Sequence, residues 1–209
     1  MKRLFVLLCA LILVLGVAGV SGAVVLTFDD IATDMRNPIP DGYGGLNWGT
    51  SSWYTNGSLY DSTYGYSSGY SSGAVSGLYT AFNAFVNNFS ASAITGTFDF
   101  NGAYLCAAWN NGLNVQVIGY NGATTLFDTT VTVNKGQPVW FQFDYTGVDL
   151  LVFSSFGGTD ASADDGGSGA HFVMDNFTYG ESQTVPLPPA ILLFFSGLAG
   201  LSAIKRRFK

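Results

Sequence analysis

The chain has 209 residues and a formal net charge of −6, but its basic side chains are concentrated at the two ends. Residues 24–184 carry only Arg36 and Lys135 against all fourteen acids, a formal charge of −12, and such a surface repels nucleic acid and other polyanions. Of the two cysteines, only Cys106 lies in that central stretch, so no internal disulfide framework is available to it.

The first element in chain order is a targeting segment. Lys2 and Arg3 precede an apolar run over residues 4–15, and Ser21 and Ala23 occupy the −3 and −1 places of a small-residue cleavage site. This is the three-part pattern of a secretory signal peptide over residues 1–23, with the mature chain starting at Val24. Its apolar run is shorter than the ~20 residues that a membrane span needs.

Residues 24–180 are expected to form one all-β domain. Residues 24–28 read as a short first strand, ended by the paired acids Asp29 and Asp30. Residues 49–77 are dense in Ser, Gly and Tyr, and are expected to be a long loop with irregular strand. Two readings of that stretch stand side by side. Its aromatics either pack down onto the sandwich or, with Trp53 and Tyr54 as the candidates, present flat platforms to sugar rings. Residues 78–89 have apolar spacing compatible with a short helix. Around Asn101-Gly102, residues 96–100 and 103–109 read as a hairpin. Residues 113–120 alternate, Val115 and Val117 against Gln116 and Ile118, and Asn121-Gly122 turns them into a return strand over 126–133. Further strands are expected at 138–145, 150–156 and 171–179. Turn signals every ten or so residues point to a sandwich.

Chemistry-bearing constellations are few. His171 is the chain's one histidine, so any Ser-His or Cys-His site would have to use it, and no histidine pair can hold zinc. Its place at the head of a strand favours a structural role. Cys106, between Tyr104 and Trp109, reads as a buried, inert thiol. A glycoside hydrolase would need two positioned carboxylates, and the one glutamate, Glu181, falls in a linker over residues 181–184. Asp160 to Asp165 brushes a calcium-loop pattern but has Asp165 where glycine belongs and no closing glutamate, and reads as a solvated loop.

The last 25 residues are the most specific part of the chain. Val185-Pro186-Leu187-Pro188-Pro189 introduces an apolar run to residue 204, and Lys205, Arg206, Arg207 and Lys209 close it. As a helix, residues 187–204 would be about 27 Å long, close to the ~30 Å of a bilayer's hydrocarbon. The basic cluster would stay cytoplasmic and leave the body outside. This ending resembles the PEP-CTERM sorting signal of exported bacterial proteins, with Leu187 standing where the name-giving glutamate would be. The resemblance implies an exosortase as partner, a transmembrane precursor, and final attachment or release at a surface rich in extracellular polysaccharide.

A second resemblance covers the body. Leu26 to Ile31, Ile39 to Trp48, and Phe172 to Phe177 resemble the first and last strands of galactose-binding-like jelly rolls, the fold of many carbohydrate-binding modules. It implies a structural calcium, with Asp29, Asp30 and Asp175 at the matching positions. The expectation from sequence is therefore an all-β jelly-roll sandwich between a signal helix and a transmembrane sorting helix. It is expected to be non-enzymatic and associated with extracellular polysaccharide, with a glycan hydrolase or a purely structural surface protein as the alternatives.

Overall fold

The computed structural model describes residues 22–31 and 34–181, and most of them lie in twelve strands. They are β1 (Val24–Leu26), β2 (Arg36–Pro38), β3 (Leu46–Trp48), β4 (Ser52–Asn56), β5 (Tyr79–Asn83), β6 (Phe89–Ala93), β7 (Phe98–Ala107), β8 (Asn110–Asn121), β9 (Thr124–Val133), β10 (Val139–Val148), β11 (Leu150–Asp160) and β12 (Phe172–Glu181). One sheet has the order β10-β7-β12-β5-β4-β2, with β1 also paired to β12, and the other has the order β3-β6-β11-β8-β9. From β7 onward the chain passes repeatedly between the sheets, the wrap of a jelly roll. The signal segment and the sorting motif from Val185 to Arg207 lie outside the described residues. Among the described residues no helix is long and apolar enough to cross a membrane.

The core is a stack of aromatic rings between the sheets. Phe100 of β7 lies 4.8 Å from Phe177 of β12 and 5.8 Å from Phe153 of β11, and Phe153 lies 5.7 Å from Phe89 of β6. All four are fully buried. The alternation in β8 works as expected: Leu113, Val115 and Val117 are buried, while Gln116 pairs across the outer face with Thr130 of β9. The Asn121-Gly122 hairpin forms, and the strands expected at 138–145, 150–156 and 171–179 are β10, β11 and β12.

Three local expectations are corrected. Asn101-Gly102 makes no turn, because β7 runs straight through it as an inner strand between β10 and β12. Gly102 is there for close approach: a Cβ on it would stand 2.3 Å from the Phe141 carbonyl oxygen. Gly102→Ala is therefore expected to cost about 1–3 kcal/mol, which denaturant titration would measure. Residues 78–89 are not helix; β5, a 3-10 turn at Ala84–Val86 and the start of β6 share the apolar spacing. Residues 49–77 are not a loop either. They hold β4, a helix at Gly57–Tyr64 and a short helix at Gly69–Ser72. The Asn56 side chain caps the first helix by accepting from the Leu59 N–H at 2.9 Å, and Gly65, at φ 71°, ends it in the left-handed conformation.

Candidate functional site

The site arises from the two faces of one sheet. Across β4, β5, β12 and β7, the row Tyr54–Ala81–Met174–Leu105 points into the core. The neighbouring row Trp53–Phe82–Val173–Cys106 points outward, where the helical segment covers it in a second apolar cluster with Tyr70, Ala108 and Trp109. Tyr60 and Tyr66 pack against that cluster, so the tyrosine-rich stretch is mainly a covering. Cys106 is buried in it, and burial pushes its thiol up to about 12, which makes it inert at neutral pH.

The covering stops short of the sheet's edge and leaves a cleft of about 190 Å³. β4 supplies Trp53 and Thr55, β2 supplies Arg36, β5 supplies Phe82, and the turn after β5 supplies Ala84 and Phe85. The helical segment adds Tyr60 and Tyr70, and His171 comes from the residue just before β12. Trp53 meets Phe85 edge-on at 5.9 Å and Phe82 at 6.5 Å. The Arg36 guanidinium lies 5.5 Å over the Tyr60 ring, a cation–π contact.

Phe85 stands out within this group. It is 73% exposed, and both it and Val86 have positive φ, 59° and 57°. Two successive non-glycine residues in that region cost about 1–3 kcal/mol each. The turn spends that energy to hold an aromatic ring out in water beside Trp53.

At the other side of the cleft lies a buried relay. Tyr70 is 3% exposed, and burial drives its phenol pKa far above the usual value, so it stays protonated. Its oxygen lies 2.6 Å from His171 Nδ1, and the Trp109 ring packs edge-on against its ring at 5.8 Å. Burial lowers the His171 pKa, so the imidazole is neutral at pH 7.

Of the two residues expected as sugar platforms, the cleft contains Trp53 alone. Tyr54 is 3% exposed and faces the core, because neighbours on a strand point to opposite sides. Sequence reasoning missed Arg36, Phe85 and His171. Scarcity was the available signal for Arg36 and His171, one of two body cations and the single histidine. The backbone conformation that exposes Phe85 left no mark in the sequence.

The acids expected to hold calcium do other work. Asp29 accepts the Leu78 and Tyr79 N–H groups at 2.8 and 3.1 Å, and Asp30 accepts the Tyr43 hydroxyl at 2.7 Å. Asp175, 1% exposed, accepts the N–H groups of Val75, Ser76 and Asn176 at 2.7–2.8 Å. Among the described residues no group of three or more His, Cys, Asp or Glu side chains is placed to hold a metal. The residues present do not fit the ion, because peptide N–H groups occupy Asp29 and Asp175 and the Tyr43 hydroxyl occupies Asp30. The thermal midpoint is expected to be the same in calcium and in chelator, and scanning calorimetry in the two buffers checks it. Asp165, expected in a solvated loop, is also buried, in an ion pair with Lys135 at 2.7 Å.

No family profile matches the sequence, and no curated protein matches it. Among solved structures, a DUF4465 family protein from Bacteroides ovatus ATCC 8483 overlaps 77% of this chain and 89% of its own at 11% identity, with a TM-score of 0.45. TmCBM61, solved in complex with β-1,4-galactotriose, overlaps 68% of this chain and 95% of its own at 11% identity, with a TM-score of 0.34. Neither likeness is close enough to carry a functional argument, which rests on the cleft itself.

Proposed function

We propose that the protein is an exported, non-enzymatic surface protein whose body, a jelly roll of the galactose-binding-like kind, holds an extracellular glycan in the cleft lined by Trp53 and Phe85. The observation that carries this reading is Phe85: an aromatic ring kept in water by a strained turn and packed edge-on against Trp53 at the cleft. Sugar rings present apolar C–H faces that stack on such walls, and their hydroxyls reach polar groups such as Arg36 and His171. The volume, about 190 Å³, is below the ~300–1,000 Å³ of sites that engulf a ligand. It suits one ring of a longer chain.

The cleft's lining contains no Asp or Glu, and glycoside hydrolysis needs two carboxylates flanking the bond, which favours binding over catalysis. Its position also fits a surface role. His171 and Glu181 stand at opposite ends of β12, roughly 30 Å apart by strand rise, and β1 pairs beside the exit at Val24–Tyr179. The cleft is thus remote from the points where the chain enters and leaves the body. Export through the signal peptide and sorting by an exosortase through Val185 to Arg207 complete the reading. A glycan array probed with the detergent-purified full chain tests it. Binding to at least one polysaccharide class is expected, and an empty array would contradict the reading.

A further inference from the structure

We propose that the glycan taken by this cleft is acidic, a uronic-acid residue whose carboxylate is held by Arg36 and by the Nε2–H of His171. This rests on the reading of the cleft as a glycan site and names its ligand class.

The first argument is the balance of donors and acceptors. Neutral sugar hydroxyls both donate and accept, so a site that orients them benefits from carboxylate or carboxamide acceptors. No Asp, Glu, Asn or Gln lines this cleft. Thr55 is 1% exposed, with its hydroxyl turned to the Met35 carbonyl at 3.1 Å. The strongest polar groups in the lining are therefore a guanidinium with five N–H donors and an imidazole.

The second argument fixes which imidazole nitrogen donates. A phenol is a strong donor and a weak acceptor, while the bare nitrogen of a neutral imidazole is a strong acceptor, so Tyr70 turns its hydrogen toward His171 Nδ1, 2.6 Å away. Nδ1 is then the acceptor, and the proton of the neutral ring sits on Nε2. The Tyr70–His171 hydrogen bond thus leaves the ring's other nitrogen as the donor. Two donors and no competing carboxylate match a carboxylate ligand, and the planar guanidinium fork suits one in particular.

The third argument is charge. The body carries −12, and Lys135, its other cation, is committed to Asp165. An acid-free cleft containing Arg36 is where an anion is tolerated on this surface. A continuous polyuronate would still be repelled by the remaining acids, so the ligand is an isolated acidic residue in an otherwise neutral chain.

The test uses the detergent-purified full chain and the methyl glycosides of glucuronate, galacturonate and mannuronate, each beside its neutral parent sugar. Because the chain has one histidine, a long-range ¹⁵N–¹H spectrum reports His171 alone. The unliganded protein is expected to have its proton on Nε2; a proton on Nδ1 overturns the relay. At least one uronide is expected to shift the His171 signals and to bind about tenfold more tightly than its neutral parent, the difference vanishing in Arg36→Gln. If neutral sugars bind as well or better, or if the preference survives Arg36→Gln, this proposal falls while the glycan reading stands. If no saccharide of either kind shifts His171, both fall.

Discussion

Asp175→Ala is expected to lower the stability of the body by about 3 kcal/mol, a drop of about 6–12 °C in Tm for a domain of this size. The carboxylate accepts three backbone N–H groups, from Val75, Ser76 and Asn176, and its residue is 1% exposed. Alanine leaves those donors without a partner, and the segment from Val75 to Tyr79 loses one of its carboxylate anchors, Asp29 being another. Asp29→Ala should cost less, because its donors lie nearer water.

The pH dependence separates this account from a calcium site. Burial raises the Asp175 pKa, and its hydrogen bonds only partly offset that. A folded pKa above the unfolded one means that the group's contribution is fully present below the ordinary carboxylate value and is lost as pH rises through the raised one. The stability gap between wild type and Asp175→Ala should thus be widest in acid and narrow with rising pH. Carboxylates holding calcium would give the reverse, with stability lost on acidification as the ligands take up protons. Urea titrations of both proteins across that range check the sign.

The second large effect is on ligand binding. Phe85→Gly is expected to weaken glycan affinity about tenfold while leaving stability unchanged or slightly higher. The ring is 73% exposed, so its removal uncovers little, and glycine adopts a φ of 59° without strain. Trp53→Ala should weaken binding further, by roughly thirtyfold, since it removes the larger of the two touching rings. Trp53 also packs on Phe82, so that variant loses some stability as well. Calorimetric titration beside thermal melts distinguishes the two variants. A Phe85→Gly protein that binds normally would mean that the strained turn serves packing alone.

The parts of the fold legible in the sequence were those with a local cause. Asn121-Gly122 between alternating runs predicts β8, β9 and their turn, since both signals lie within a few residues of one another. Asn101-Gly102 carries the same dipeptide and makes no turn, because pairing with β10 and β12 on both sides decides its conformation. The helix at Gly57–Tyr64 has little apolar periodicity to announce it. It forms between the Asn56 cap and Gly65, and Tyr60 anchors it on the apolar patch outside the sheet. At the site, Trp53 was legible from composition, and strand alternation, applied to β4, would have turned Tyr54 inward. Arg36, Phe85 and His171 come from three separate segments, and no spacing rule links residues that only the tertiary fold brings together.

The most direct test of the central claim is a crystal structure of the protein with an oligosaccharide that it binds. The account predicts a sugar ring in the cleft against Trp53 and Phe85, with polar groups of the same ring against Arg36 and His171. A ligand lying across the open face of the second sheet, over Gln116 and Thr130, with the Trp53–Phe85 cleft empty, would contradict it.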